Sequence, residues 1–354
     1  MRTKNYVYIP ILILLSLFLV DKIALLPVIE DCCIQRGLEI FFTSSKNNEF
    51  PAEERVKKAF LQNKKVAFSF GSSLAYGFYF NKSKEYLAAT KSLSTETQNN
   101  IKDWEIIHFG IPGSTVISHY VRLEQMLERG LKPNLILVEL APNSFNANSP
   151  WYTAEIVNAI PVDFALQHFR EIPFAHLRII LISRIFVLSY KRLGKPTETY
   201  NLLHGYFQKF IYDYGKQEEQ QTSPESFRVG QETVANAFLS QSLLQVLKLN
   251  FTNYTVASDL AVYAHLLHLK AKKENIPIVF WFPALHPLAR NAISETNTPN
   301  SWGAFLKDSP EISSDYIDVN FPENFCDEFM DPMHMGVSCF AKSFPRFLEK
   351  ISHE

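Results

Sequence analysis

Short apolar runs alternate with helix-patterned segments along this chain, and that alternation restricts the folds open to it. Val66–Phe70, Trp104–Phe109 (WEIIHF) and Asn134–Leu140 (NLILVEL) read as buried strands. Between the second and third, Thr115–Arg129 carries apolar residues at helical spacing and stops at Gly130. Residues 257–276 form another helical pattern. Pro277 then opens a fourth strand, PIVFWFP, and Tyr316 a short fifth, YIDVN. Strands separated by helices cannot pair as tight hairpins; they make a parallel sheet with helices on its faces. The expected class is therefore α/β. The chain closes with DPMHMGVSCFAKSFPRFLEKI, a loop and a terminal helix with Pro345 in its path.

The rhythm stops between about residues 149 and 250, where no convincing strand is expected. EIPFAHLRIILISRIFVLSYKRLG is apolar, but Arg178, Arg184, Lys191 and Arg192 make it a poor membrane span. Its aliphatic face either packs on the core or lies along a membrane surface. The region reads as a helical insertion that caps a site.

The N-terminus carries a second signal. Arg2 and Lys4 precede an apolar run from Tyr6 to Val20, and Ile23–Leu26 continue it after Asp21 and Lys22. Counted through Leu26, the run reaches the roughly 20 residues of a spanning helix. Positive charge at the front keeps that end in the cytoplasm and sends the rest outside. The expectation is an uncleaved signal anchor, residues 1–27; a cleaved signal peptide and a buried helix are the alternatives. A linker and leading helix follow at 28–63, then the main domain at 64–354. The expected location is the cell membrane, single-pass, with the domain on the extracytoplasmic (periplasmic) side and the lipid bilayer as first partner.

Composition removes other classes. Lys+Arg 35 against Asp+Glu 36 gives a net charge of -1, so no basic surplus points to nucleic acid, and none is expected as partner. The four cysteines, Cys32, Cys33, Cys326 and Cys339, show no metal-ligand spacing. Neither a metal nor a cofactor is expected. Cys326 and Cys339 are near enough to pair in an oxidising compartment, or all four are buried thiols.

Four short pieces stand at strand ends or before the last helix: FGSSLAYG, FGIPGST, ELAPNSF and DPMHMG. In open α/β sheets the carboxyl ends of strands are where ligands bind. Taken singly, each piece also fits a turn or a helix cap. Taken in order, they resemble the SGNH (GDSL-like) hydrolase superfamily over roughly residues 64–146 and 275–350. That resemblance implies a three-layer, flavodoxin-like parallel sheet with helices on both faces. It makes Ser73 the nucleophile and Asp331 and His334 its partners. The oxyanion donors would be the Ser73 and Gly113 N–H groups and the Asn143 amide. The chemistry agrees: a serine hydroxyl needs a base, the base needs an orienting acid, and the oxyanion needs donors.

One position departs from the pattern: Ser72 stands where such a turn usually has aspartate. The Gly-Ser-Ser form resembles the membrane-anchored branch that includes D-alanylation (DltD-like) and polysaccharide O-acylation proteins. That branch implies an acyl-ester or glycan substrate and a membrane-bound, acyl-supplying partner. The function expected is an esterase or O-acyltransferase working through acyl-Ser73. The alternative is an inactive relative that binds glycan or helps assemble an envelope complex. His108 and His119 read as packing residues; His286 packs or lines the site, Arg290 is a solvated surface residue or meets an anionic substrate, and Trp151 and Tyr152 pack the insertion or stack on a sugar.

Overall fold

The structure is a computed structural model. It describes residues 8–23, 54–110, 114–148, 156, 159–185, 225–231, 244, 248, 251, 253–322 and 325–352. The chain divides into two compact units, Met1–Pro51 with Ala165–Glu219 and Ala52–Phe164 with Gln220–Glu354.

The second unit holds the sheet. Its strands are β1 (Lys65–Phe70), β2 (Trp104–His108), β3 (Leu135–Glu139), β5 (Ile278–Phe282) and β6 (Tyr316–Asp318); β4 (Phe227–Arg228) and β7 (Glu328–Phe329) pair elsewhere. All four pairings in the five-stranded sheet are parallel, in the order β2-β1-β3-β5-β6. Counted within the sheet this is 2-1-3-4-5, the flavodoxin-like order, whose direction reverses between β1 and β3. The expected α/β class is what the chain adopts. Each crossover carries a helix, because parallel neighbours cannot be joined by a short turn.

Register decides which face each side chain serves. Phe70 pairs with Val138 and Val138 with Phe280, while Glu139 pairs with Trp281. Side chains alternate between faces, so Phe70, Val138 and Phe280 point one way and Glu139 and Trp281 the other. On the first face Phe68 and Phe70 meet Phe109 with ring centroids 4.9 and 5.4 Å apart. On the second, Trp281 packs against Phe78 at 5.5 Å and Phe347 at 5.3 Å. The rings of Phe68, Phe78, Phe280, Trp281 and Phe340 are fully buried. At roughly 1.5–3 kcal/mol for each large apolar side chain, these two layers are the main favourable term of the domain.

The helices begin and end as their sequences dictate. Thr115 caps Val116–Glu128 by accepting from Ile117 N–H, and Gly130 takes φ +74 just beyond its end. Ser258–Lys273 is acidic in its first turn and basic in its last, matching the helix dipole. Val337–Ser352 runs through Pro345.

Two expectations are modified. Phe227–Arg228, within the region expected to lack strands, pairs antiparallel with Glu328–Phe329. A two-residue strand has no periodicity to read. Cys326 and Cys339 form a disulfide with Cα atoms 5.4 Å apart, which resolves the alternatives left by their spacing. Cys32, Cys33, Trp151 and Tyr152 lie outside the described residues, as does much of the expected insertion.

In the first unit, Tyr8–Ile23 is helical over 16 residues, with Leu12, Leu14 and Leu15 among its exposed side chains. At 1.5 Å per residue it is about 24 Å long, against a hydrocarbon core of about 30 Å. Among the described residues no helix is long and apolar enough to cross a membrane. The expected anchor extends beyond this helix at both ends, into residues outside the description.

Candidate active site

Ser73 follows β1 by three residues and opens a 3-10 helix, Ser73–Phe80. Ser72 caps that helix: its backbone is extended and its Oγ accepts from Leu74 N–H at 3.2 Å. The cap turns the chain two residues past the strand end, which puts Ser73 on the sheet's carboxyl edge. Gly71 makes the turn passable. A Cβ there would lie 2.3 Å from the Ala75 Cβ and 2.8 Å from Glu139 Oε2.

His334 and Asp331 reach the same edge from the far end of the chain. They sit at the tip of a tight loop in which Met330 N–H donates to His334 O at 2.8 Å and Gly336 N–H to Glu328 O at 2.6 Å. The loop is fixed on several sides. β7 pairs with β4 before it, the Cys326–Cys339 disulfide encloses it, and His286 N–H donates to Pro332 O at 3.0 Å. Asp331 Oδ1 accepts from the N–H groups of Met333 at 2.7 Å and His334 at 3.0 Å, so the acid is oriented by its own turn.

The side chains then form a relay. Asp331 Oδ2 lies 2.6 Å from His334 Nδ1, and His334 Nε2 lies 2.9 Å from Ser73 Oγ. With the Nδ1 proton directed at the carboxylate, Nε2 is left to accept from the serine hydroxyl. Ser73 and His334 are 261 positions apart, and the sheet order closes that gap. Burial alone would lower the His334 pKa. The Asp331 carboxylate, by charge and hydrogen bond, and Glu139, by charge, outweigh burial and hold it above the usual histidine value. Burial alone would raise Asp331, but the charge and hydrogen bond of His334 and the two backbone N–H groups hold it below the usual carboxylate range.

Asn143 lies in the single turn Pro142–Phe145 that follows β3, the strand beside β1. Its side chain is half-buried. Gly113 lies outside the described residues. His119 is buried, with Nε2 3.2 Å from Ser114 Oγ, whose hydroxyl donates to Gly71 O at 2.9 Å. The His108 Nδ1 is 3.1 Å from Ser69 Oγ. Burial first, then the His119 and Arg122 charges, push His108 down to about 3. Burial and the Arg122 charge take His119 to about 3 against an opposing hydrogen bond to Gly71, so both rings are neutral. His286 is a buried helix cap whose Nδ1 accepts from Leu288 N–H at 3.2 Å.

One residue of the site was not singled out in the sequence. Glu139, the last residue of β3, is 2 % exposed and lies beneath the serine turn. Its Oε2 accepts from Ser72 N–H at 2.8 Å and its Oε1 from the Ser72 hydroxyl at 2.7 Å. The available signal was an acid set inside the strand run NLILVEL, between Val138 and Leu140.

Fold and site together define an open parallel α/β domain with a serine–histidine–aspartate relay at its carboxyl edge. Residues 1–351 match the family described as "Protein of unknown function (DUF1574)", and the chain belongs to that family. No curated protein matches it. Among solved structures, the crystal structure of an acetyl xylan esterase matches at 11 % identity and TM-score 0.32. The match covers 81 % of this chain and 98 % of that one.

Proposed function

We propose that this protein is a serine acyl-ester hydrolase or O-acyltransferase that works through an acyl-Ser73 intermediate. The observation that carries the reading is the 2.9 Å contact of Ser73 Oγ with a histidine whose other nitrogen is held by Asp331 at 2.6 Å. A serine within hydrogen-bond reach of an oriented base is the arrangement nucleophilic acyl transfer needs. Ser73 Oγ adds to the ester carbonyl and its proton passes to His334 Nε2. Asp331 stabilises the imidazolium without taking the proton. The Ser73 N–H, with Gly113 N–H and the Asn143 amide as further donors, stabilises the oxyanion. The tetrahedral species collapses, the leaving alcohol takes the proton from His334, and the acyl group stays on Ser73. Water or a glycan hydroxyl then attacks and gives its proton to His334, which returns it to Ser73 Oγ as the acyl–serine bond breaks, releasing an acid or a new ester and restoring the free site. In the transfer case a membrane-bound partner supplies the acyl group.

The site works outside the cytoplasm, tethered by the N-terminal segment. Arg2 and Lys4 ahead of the apolar run, the helix Tyr8–Ile23 with its exposed leucines and the Cys326–Cys339 disulfide support this placement. The substrate is then an acyl ester on a cell-surface glycan or lipid. A fluorophosphonate probe tests the reading: it labels the wild-type chain and not Ser73→Ala. Equal labelling of the two, or none of the wild type at any pH, sinks it.

A further inference from the structure

Glu139 is a buried acid, and among the described residues no lysine or arginine pairs with it. The contrast within the same sheet is Glu105, which is also buried but takes Arg55 at 2.8 Å and Lys82 at 2.7 Å. Both oxygens of Glu139 go to Ser72, one to the backbone N–H and one to the hydroxyl. Ser72 Oγ passes the constraint on by accepting from Leu74 N–H, so three consecutive bonds clamp the residues on either side of Ser73. An unpaired buried carboxylate is costly, and a mere turn could be capped without one.

We infer that Glu139 is a positioning residue for Ser73: its carboxylate, from the neighbouring strand, fixes the turn that presents the hydroxyl and sets a negative charge beneath it. This rests on Ser73 being the nucleophile. Ser72 is the donor that engages this carboxylate through both its N–H and its hydroxyl. The charge reaches His334 as well as the turn, and Glu139 adds to the forces holding that histidine above its usual value. Burial first pushes Glu139 itself up to about 7, against the Ser72 bonds, an Ala75 backbone bond and the His334 charge. The other titratable groups around the turn are Asp331 on the histidine loop, His108 on β2, and His119 and Arg122 on the Val116–Glu128 helix. The two histidines are held neutral by burial and do not change charge near pH 7.

The test uses the full chain with Glu139→Gln, Glu139→Asp and Ser72→Ala. Each is followed by thermal melting, by fluorophosphonate labelling rate against pH, and by NMR titration of the His334 ring. Glutamine offers one acceptor and one donor where two acceptors are needed. Labelling of Glu139→Gln should slow about 10–100-fold, since displacement of a reacting group by about 1 Å can cost about 100-fold. Its acid limb and the His334 midpoint should both move down by about half a pH unit, as the negative charge is gone. Glu139→Asp, which keeps the charge but not the reach, should slow labelling while leaving the limb near wild type. Ser72→Ala should lose rate in the wild-type background and little further in Glu139→Gln. Wild-type rate and limb in a folded Glu139→Gln overturn the inference. If that variant does not fold, wild-type labelling of Ser72→Ala overturns it. If the wild type is never labelled, the esterase reading fails by itself. The His334 titration then decides separately, and an unmoved midpoint in Glu139→Gln overturns the role of its charge.

Discussion

Gly71→Ala asks the serine turn to hold one extra methyl group. The new Cβ would stand 2.3 Å from the Ala75 Cβ, 2.8 Å from Glu139 Oε2 and 3.1 Å from Glu139 Cβ. Carbon atoms are comfortable at about 3.5–4.0 Å, so the overlap with Ala75 is more than about 1 Å. Neither neighbour is a flexible chain end: Ala75 is fully buried in the 3-10 helix and Glu139 is locked by Ser72. The backbone must therefore move. Overpacking of this kind costs about 1–3 kcal/mol, a few degrees in melting temperature for a domain of this size. The larger effect is on geometry, because the displaced helix begins with Ser73. A shift of about 1 Å from His334 Nε2 lowers the labelling rate about 100-fold. Gly71 does not have positive φ, so the effect is steric. The assay pairs a thermal melt with fluorophosphonate labelling. A variant that melts lower yet labels at the wild-type rate would show that the turn absorbs the methyl without moving Ser73, and the reasoning would be wrong.

Further outcomes follow from the same site. Asp331→Asn should lower labelling about 10^3–10^4-fold with little loss of fold, since the orienting charge goes while the shape stays; a loss below tenfold would contradict the relay. Asn143→Ala should slow acyl transfer about 10^2–10^3-fold, as expected for one oxyanion donor, and an unchanged kcat would remove it from that role. The reaction needs neutral His334, whose pKa is held up, so activity should rise with pH along a limb centred above the usual histidine value near 6.5; a limb centred below 6 would refute this. Glu139 titrates near 7 folded against about 4.5 unfolded, so the folded chain binds more protons in that window. Its share of stability should therefore fall as pH rises from about 4.5 to 7, by about 3 kcal/mol, and Glu139→Gln should flatten that slope in a melt series. Reducing the Cys326–Cys339 disulfide should cost about 3 kcal/mol and weaken labelling, because the bond closes the segment that carries Asp331 and His334.

Much of the domain was legible because its signals are local. The five sheet strands are runs of apolar residues set between helical patterns, and a run buried on both faces needs no partner to be recognised. Ser73 and the Asp331–His334 pair were singled out only through the resemblance carried by four short pieces taken in order, since each piece alone also fits a turn or a cap. Glu139 was not legible as a site residue. Its meaning depends on β3 lying beside β1, so that the end of one strand meets the turn after the other. The same holds for β4, too short for periodicity, and for the cysteine pairing, which needs two Cα atoms 5.4 Å apart rather than a sequence spacing.

The sequence by itself determined the kind of domain and the groups on offer: strands that must lie parallel, a serine in a short turn after the first of them, and an acid and a histidine three residues apart. Tertiary structure decided whether those groups meet. Parallel order 2-1-3-4-5 brings residues 261 positions apart to one edge, and no local rule contains that closure. It also decided what Ser72 is. In the sequence it was a serine in place of an acid. In the fold it is the donor to Glu139, because only packing sets a buried carboxylate within 2.8 Å of its backbone.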